Sequence, residues 1–293
     1  MRRSNYLPEA NACLYPAYRP LSQLRQAQEE QTILTGIAVR CDRRRDLWVS
    51  VGGYEGVIPH DEIVHPSISG AQRDIAVLSL VGKQVSFVIT DIQTDGAGRA
   101  HLILSRRAAQ EQTFAWLMEN TQIGSILPAH VTHLAEFGAF VDLGCGVISL
   151  VPLENLSVAR AQHPAQRLTV GQDILVLVTD IDREKMRFYL SHKELLGTWL
   201  ENAADFAPGD TVTGIVRGVM PYGIFIELTP NLSGLAQLRE DIAPGDVVTV
   251  LIRTIRPECR KIKLQIIAHQ NIAAPIKPPR YFITDGIVRD WTY

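Results

Sequence analysis

One pattern occurs three times along this 293-residue chain and limits its fold more than any other feature. The clearest copy reads Glu136-Phe137-Gly138-Ala139-Phe140-Val141-Asp142-Leu143-Gly144. A later one reads Pro221-Tyr222-Gly223-Ile224-Phe225-Ile226-Glu227-Leu228, and an eroded one Arg45-Asp46-Leu47-Trp48-Val49-Ser50-Val51-Gly52-Gly53. Each copy is followed by a Val-Gly or Pro-Gly, a β-rich run and a closing strand, which in chain order is Leu102-Ile103-Leu104-Ser105, Phe188-Tyr189-Leu190-Ser191 and Ile262-Lys263-Leu264-Gln265. The repeat length of about 75 to 90 residues exceeds the roughly 20 to 50 of a solenoid unit and suits a small barrel. Three modules are therefore expected.

The boundaries follow from the punctuation. Residues 1–30 read as a leader, broken by Pro8, Pro16 and Pro20 and ending in a short amphipathic helix, Leu21 to Glu30. The modules occupy 31–107, 123–193 and 207–269, with helical linkers at 108–122 and 194–206 and a tail at 270–293. Both linkers carry Trp-Leu followed by Glu-Asn, so the linker belongs to the repeat and can pin neighbouring barrels. Pro275, Pro278 and Pro279 open the tail, and its aromatic residues predict that it docks instead of hanging free.

Inside each module the signals are β. Asp173 to Ile181 reads as a strand buried largely on both faces, and Asp182-Arg183-Glu184-Lys185 as the turn after it. Asp95-Gly96-Ala97-Gly98 and Pro257-Glu258-Cys259 make the matching turns. Five short strands per unit with glycine corners predict an all-β chain of three tandem five-stranded OB-fold barrels joined by short helices.

A formal charge of −2 argues against a coat for duplex DNA built on bulk positive charge, so any nucleic-acid site must be local. Cys13, Cys41, Cys145 and Cys259 lie far apart without a CxxC pair, as expected of free thiols in a reducing compartment. The start lacks the apolar core of a secretory signal, and no run reaches the roughly 18 apolar residues of a membrane helix. A cytoplasmic protein with no membrane contact is expected.

No nucleophile elbow, Walker loop or metal-spaced carboxylate cluster occurs, which predicts no enzymatic activity, no cofactor, no metal and no small-molecule substrate. His130 and His133 fall on opposite faces of one strand with no thiol or carboxylate in view, so they are not read as a metal pair. Gly144-Cys145-Gly146 reads as a loop corner.

The residues left over for function are aromatic and cationic. Phe137 and Phe140, three apart, share a surface only if the strand bends, and Gly138 permits that bend. Beyond it Ala139, Val141 and Leu143 take the inward parity, while Phe140 and Asp142 point outward. On the closing strand Phe188 and Leu190 point inward, leaving Arg187 and Tyr189 outside, with Lys185 in the turn before them. The third module repeats this with Tyr222 and Phe225, and with Lys261 and Lys263 outside. His133 and Arg217 lie on the strands leading into the ring pairs. Rings beside cations form the platform that single-stranded nucleic acid needs, because unpaired bases stack while Arg and Lys meet phosphates.

The second and third modules resemble the RNA-binding domain of bacterial ribosomal protein S-one. That pattern runs Gly-x-Val-x-Gly-x-Val, aromatic-Gly-Ala-Phe-Val, Gly-Leu-Val-His, then Asp-x-Glu-x-x-Arg-Ile-x-Leu-Ser, and residues 124 to 193 match it almost throughout. The resemblance implies a non-enzymatic binder of single-stranded RNA, messenger RNA included, acting in translation with the small ribosomal subunit as a further partner. It assigns stacking to Phe137, Phe140, Tyr222 and Phe225, and the strand arginine to Arg187 and Lys261. The family histidine is replaced by Pro59, Pro152 and Gln237. In the first module only Trp48 remains of the rings, His101 replaces the strand arginine, and Ile103 is expected on the outer face. That module is expected to dock a protein or its neighbour, with Arg43-Arg44-Arg45 giving at most a nonspecific phosphate contact. The competing reading is an assembly adaptor whose barrels bind proteins, favoured by the near-neutral charge and the missing histidines.

Overall fold

The structure, a computed structural model, describes residues 6–9, 19–64, 77–96, 98–183, 187–270, 272 and 278–293. Three closed five-stranded barrels account for most of it. The first contains β1 (Leu34–Cys41), β2 (Leu47–Val51), β3 (Tyr54–Ile58), β4 (Gln84–Thr94) and β5 (Ala100–Ser105), closed in the order β1-β2-β3-β5-β4. The second contains β6 (Ile126–Ala135), β7 (Gly138–Asp142), β8 (Ile148–Pro152), β9 (Asp173–Asp182) and β10 (Arg187–Ser191), and the third β11 (Thr211–Met220), β12 (Gly223–Thr229), β13 (Leu232–Ala236), β14 (Val247–Arg256) and β15 (Lys261–Gln270). Both keep the same cyclic order of strands, so the repeat in the sequence is a repeat in topology. This order, with a parallel pairing of the third and fifth strands, is the OB barrel.

The polypeptide forms two compact units, Met1–Thr121 with Asp142–Ile148, and Gln122–Val141 with Ser149–Tyr293. In the first unit, Leu24 and Ala27 of α1 (Leu21–Glu29) join the barrel core with Phe87, Ile89, Leu102 and Leu104. Helix α2 (Arg106–Asn120) starts where the Ser105 hydroxyl accepts from the Ala108 amide, and lays Ala109, Phe114 and Leu117 inward. Its Trp116 ring stacks on Tyr6 at 5.1 Å.

Asp142 corrects one expectation, because it is fully buried in the first unit instead of facing water. Its carboxylate accepts from the backbone amides of Glu9, Gly144 and Gly146. Arg106, itself buried, is paired with Glu9 at 2.8 Å. Burial and the nearby Glu9 carboxylate together push Asp142 up to about 7.

The second unit holds barrels two and three. Between them Lys193–Leu196 makes a 3₁₀ turn, Gly197 breaks it, and α3 (Trp199–Ala203) begins with a reciprocal Thr198–Glu201 capping box. Gly197 has a φ of +84°, and a Cβ there would meet the Phe282 ring at 2.6 Å. Trp199 is buried in the third core with Ile224, Ile226, Val250 and Ile252.

The tail docks as a strap on both barrels. Phe282 donates its amide to Leu195 O, Val288 to Gly124 O, and the Tyr293 hydroxyl to Asn231 O. Tyr281, Ile283 and Val288 pack on Ile126, Leu177 and Leu195. The Leu175 amide donates to the Tyr281 hydroxyl, which lies 3.2 Å from His192 Nε2, while His192 Nδ1 sits 3.0 Å from Leu156 O. These partners fix the roles: Nδ1–H donates to the carbonyl, and Nε2 accepts from tyrosine. Burial pushes His192 down to about 4.

A buried ion triad also joins these barrels. Arg167 of barrel two and Arg217 of barrel three both grip Glu227, each with a closest contact of 2.6 Å, and all three side chains are at most one-tenth exposed. Alongside it the Ala159 amide donates to Pro230 O, and Asn231 bonds the Val158 amide and the carbonyls of Lys193 and Gly197.

Candidate nucleic-acid interface

Barrel two presents its rings to water. Phe137 is 60% exposed, Phe140 half-buried, and their centroids lie 5.9 Å apart, edge to face at 85°. His133 on β6 is exposed 5.9 Å from the Phe140 ring. On the next strands Tyr189 lies opposite Leu150, with Tyr189 41% exposed and Arg187 exposed two residues before it. Barrel three repeats the arrangement. Tyr222 is 68% exposed and stands perpendicular to Phe225 at 6.0 Å. Strand pairing then sets Phe225 beside Leu235 and Leu235 beside Lys263, with Lys261 also exposed on β15. Each of these two barrels thus offers a perpendicular pair of rings, a leucine on the neighbouring strand and at least one exposed cation.

Gly138 also leaves room for the neighbouring strand. A Cβ at Gly138 would stand 2.4 Å from Val151 O, and one at Gly223 2.6 Å from Ala236 O. The glycine lets the third strand's backbone close in, and the two rings then sit where β7 begins. Leu150 and Leu235 complete the surface and escaped the sequence reading, because an aliphatic residue on the outer parity carries no signal of its own.

Arg217 is not on this surface. Its strand slips register between Val216 and Gly218, and the bulge re-aims the side chain into Glu227 and Gln166. Parity along a regular strand cannot foresee such a bulge. Asp142 and Glu227 occupy the same repeat position, two residues past the second ring, and both are buried. Lys185 lies outside the described residues.

In barrel one the equivalent row is Trp48, Val57 and Ile103. Arg40 covers one face of Trp48 at 4.0 Å, and the indole N–H donates to Asp42. Trp48 is therefore engaged within its own barrel, and His101 lies 3.5 Å from Asp95. His130 is also held, since Asp173 stands 2.7 Å from its ring, a carboxylate that the sequence reading did not place there. Among the described residues no group of three metal-binding side chains occurs. Among the described residues no helix is long and apolar enough to cross a membrane.

The family model of the S1 RNA binding domain matches residues 120–193, the stretch that builds β6 to β10. The second barrel is thus similar to S1 RNA binding domains. Beyond this stretch the chain is similar to curated bacterial proteins. It is 33% identical to the small ribosomal subunit protein bS1 homolog of Bacillus subtilis over 54% of this chain and 42% of that one. It is 32% identical to bS1 of Leuconostoc lactis over 67% of this chain and 45% of that one. It is 36% identical to bS1 of Staphylococcus aureus over 47% of this chain and 37% of that one. The chain thus spans less than half the length of these relatives.

Proposed function

We propose that this protein is a non-enzymatic binder of single-stranded RNA that works in translation, in the cytoplasm, in association with the small ribosomal subunit. The observation that carries the reading is the doubled platform: Phe137 with the half-buried Phe140, and Tyr222 with Phe225, each pair perpendicular, open to water and flanked by Arg187 or by Lys261 and Lys263. Stacking is tolerant of sequence because every base has a π-face, so sequence preference should be slight. Two weak sites on one chain raise the effective concentration of the second once the first is filled. The names of the relatives support the ribosomal setting.

Barrel one serves protein contact in this reading, because its Trp48 is engaged and its row is aliphatic. The test is fluorescence anisotropy with a short unstructured RNA. Phe140→Ala combined with Phe225→Ala should weaken binding at least tenfold, since one lost base stack costs about 1–3 kcal/mol. Equal affinity of parent and double variant would overturn the proposal and favour a protein-binding adaptor.

A further inference from the structure

The tip of the β14–β15 hairpin breaks a rule that the second barrel keeps. In barrel two Arg187 stands opposite Asp182 and Tyr189 opposite Asp180, so a cation faces an acid across the ladder. In barrel three the same positions hold Lys261 opposite Arg256 and Lys263 opposite Thr254. Like charges directly across a ladder repel and destabilise it. Arg253 and Arg260 extend the cluster, and all five cations are exposed with no ion pair to a described residue. Glu258 is the one acid between residues 253 and 263.

Arg260 adds a second, independent oddity. It closes the turn with φ +50° and ψ +46°, in the left-handed region where glycine or asparagine is easier. A long cation held in that conformation, beside a repelling pair, marks a site kept for its charge. In barrel one the corresponding stretch carries Asp91 and Asp95 with Arg99, and in barrel two Asp180 and Asp182, so the feature is particular to barrel three.

We infer that Arg253, Arg256 and Arg260, with Lys261 and Lys263, form a phosphate clamp that grips the backbone of a single strand as its bases stack on Tyr222 and Phe225. The inference deepens the RNA reading and rests on it. It makes barrel three the electrostatic anchor of the pair and leaves barrel two to hold its RNA mainly by rings.

The test is a salt titration of a short unstructured RNA against the full chain. For single strands each lost phosphate contact lowers the slope of log affinity on log salt by about 0.7, so R253Q/R256Q/R260Q should flatten it by about 2. The same relation predicts a loss of about 100-fold at 0.1 M salt that vanishes near 1 M. The mirror substitution, Asp182→Arg, should steepen the slope by about 0.7. Phe225→Ala should weaken binding at every salt concentration with the slope unchanged, which separates the rings from the clamp. An unaltered slope in the triple variant overturns the clamp while ring-dependent binding stands. No binding by the parent overturns both readings. Because the cations repel, the triple variant should melt at or above the parent temperature, and a lower melting temperature would assign them to hairpin stability and overturn the clamp.

Discussion

Glu227→Gln is expected to destabilise the second unit by about 3–5 kcal/mol, the cost of breaking a buried pair by removing one partner. The carboxylate accepts from Arg167 Nη1 and Nη2 and from Arg217 Nε, all at 2.6 Å, and from Arg217 Nη2 at 3.3 Å. The amide keeps the shape, offers one acceptor oxygen, and leaves two like-charged guanidiniums facing each other out of water. Set against a typical stability of about 5–15 kcal/mol, this is a large fraction. With a slope near 2 kcal/mol per molar in urea, the midpoint of the affected transition should fall by about 2 M. Circular dichroism of the full chain would report it. Adding Arg217→Met should recover part of the loss, since one buried charge then disappears, and the double variant should cost less than the sum of the singles. A cost below about 1 kcal/mol for Glu227→Gln would show that the triad is wet, and would refute the reasoning.

Two pH effects of opposite sign follow from buried groups. His192 falls from its usual 6.5 to about 4 in the folded state, so its contribution is present above 6.5 and is lost as pH drops toward 4. The shift corresponds to about 3 kcal/mol, and His192→Gln should flatten that limb of a urea-midpoint profile recorded from pH 7 to 4. Asp142 rises from 3.8 to about 7, so the folded state binds the extra proton and the first unit should lose stability as pH climbs through 7. Asp142→Asn should abolish this dependence in the same profile. A parent chain whose first transition is flat between pH 4 and 7 would refute it.

The repeat made the barrels and the rings legible, because strand parity and glycine corners are local properties. Phe140 and Phe225 could be placed outside from their alternation with Ala139 and Val141, or with Ile224 and Ile226, and the structure leaves them there. Arg217 was misread because its direction depends on a bulge, and a bulge is a property of two paired strands. Asp142 was misread for a different reason. Its surroundings within the first unit come from residues remote in sequence, Glu9 and Arg106, which strand parity cannot see. The engaged state of Trp48 also needed the partner in space, since nothing in the spacing announces that Arg40 lies over its ring. Docking of the tail was foreseen from its aromatics, whereas its route was not, because main-chain partners such as Gly124 O and Leu195 O carry no residue signature.

The strap has a consequence for the order of events during synthesis. Residues 281–293 are made after the fifteen strands of the described residues, and at about 5–20 residues per second the stretch from Gln270 to Tyr293 takes about 1–5 s to synthesise. Until they dock, the Arg167–Glu227–Arg217 triad and the Asn231 contacts are what can join the second and third barrels, without Tyr281 in place. His192 then lacks its hydroxyl partner, and the Leu175 amide lacks its acceptor. The two barrels gain these contacts only when residues 281–293 thread back onto strands made many seconds earlier.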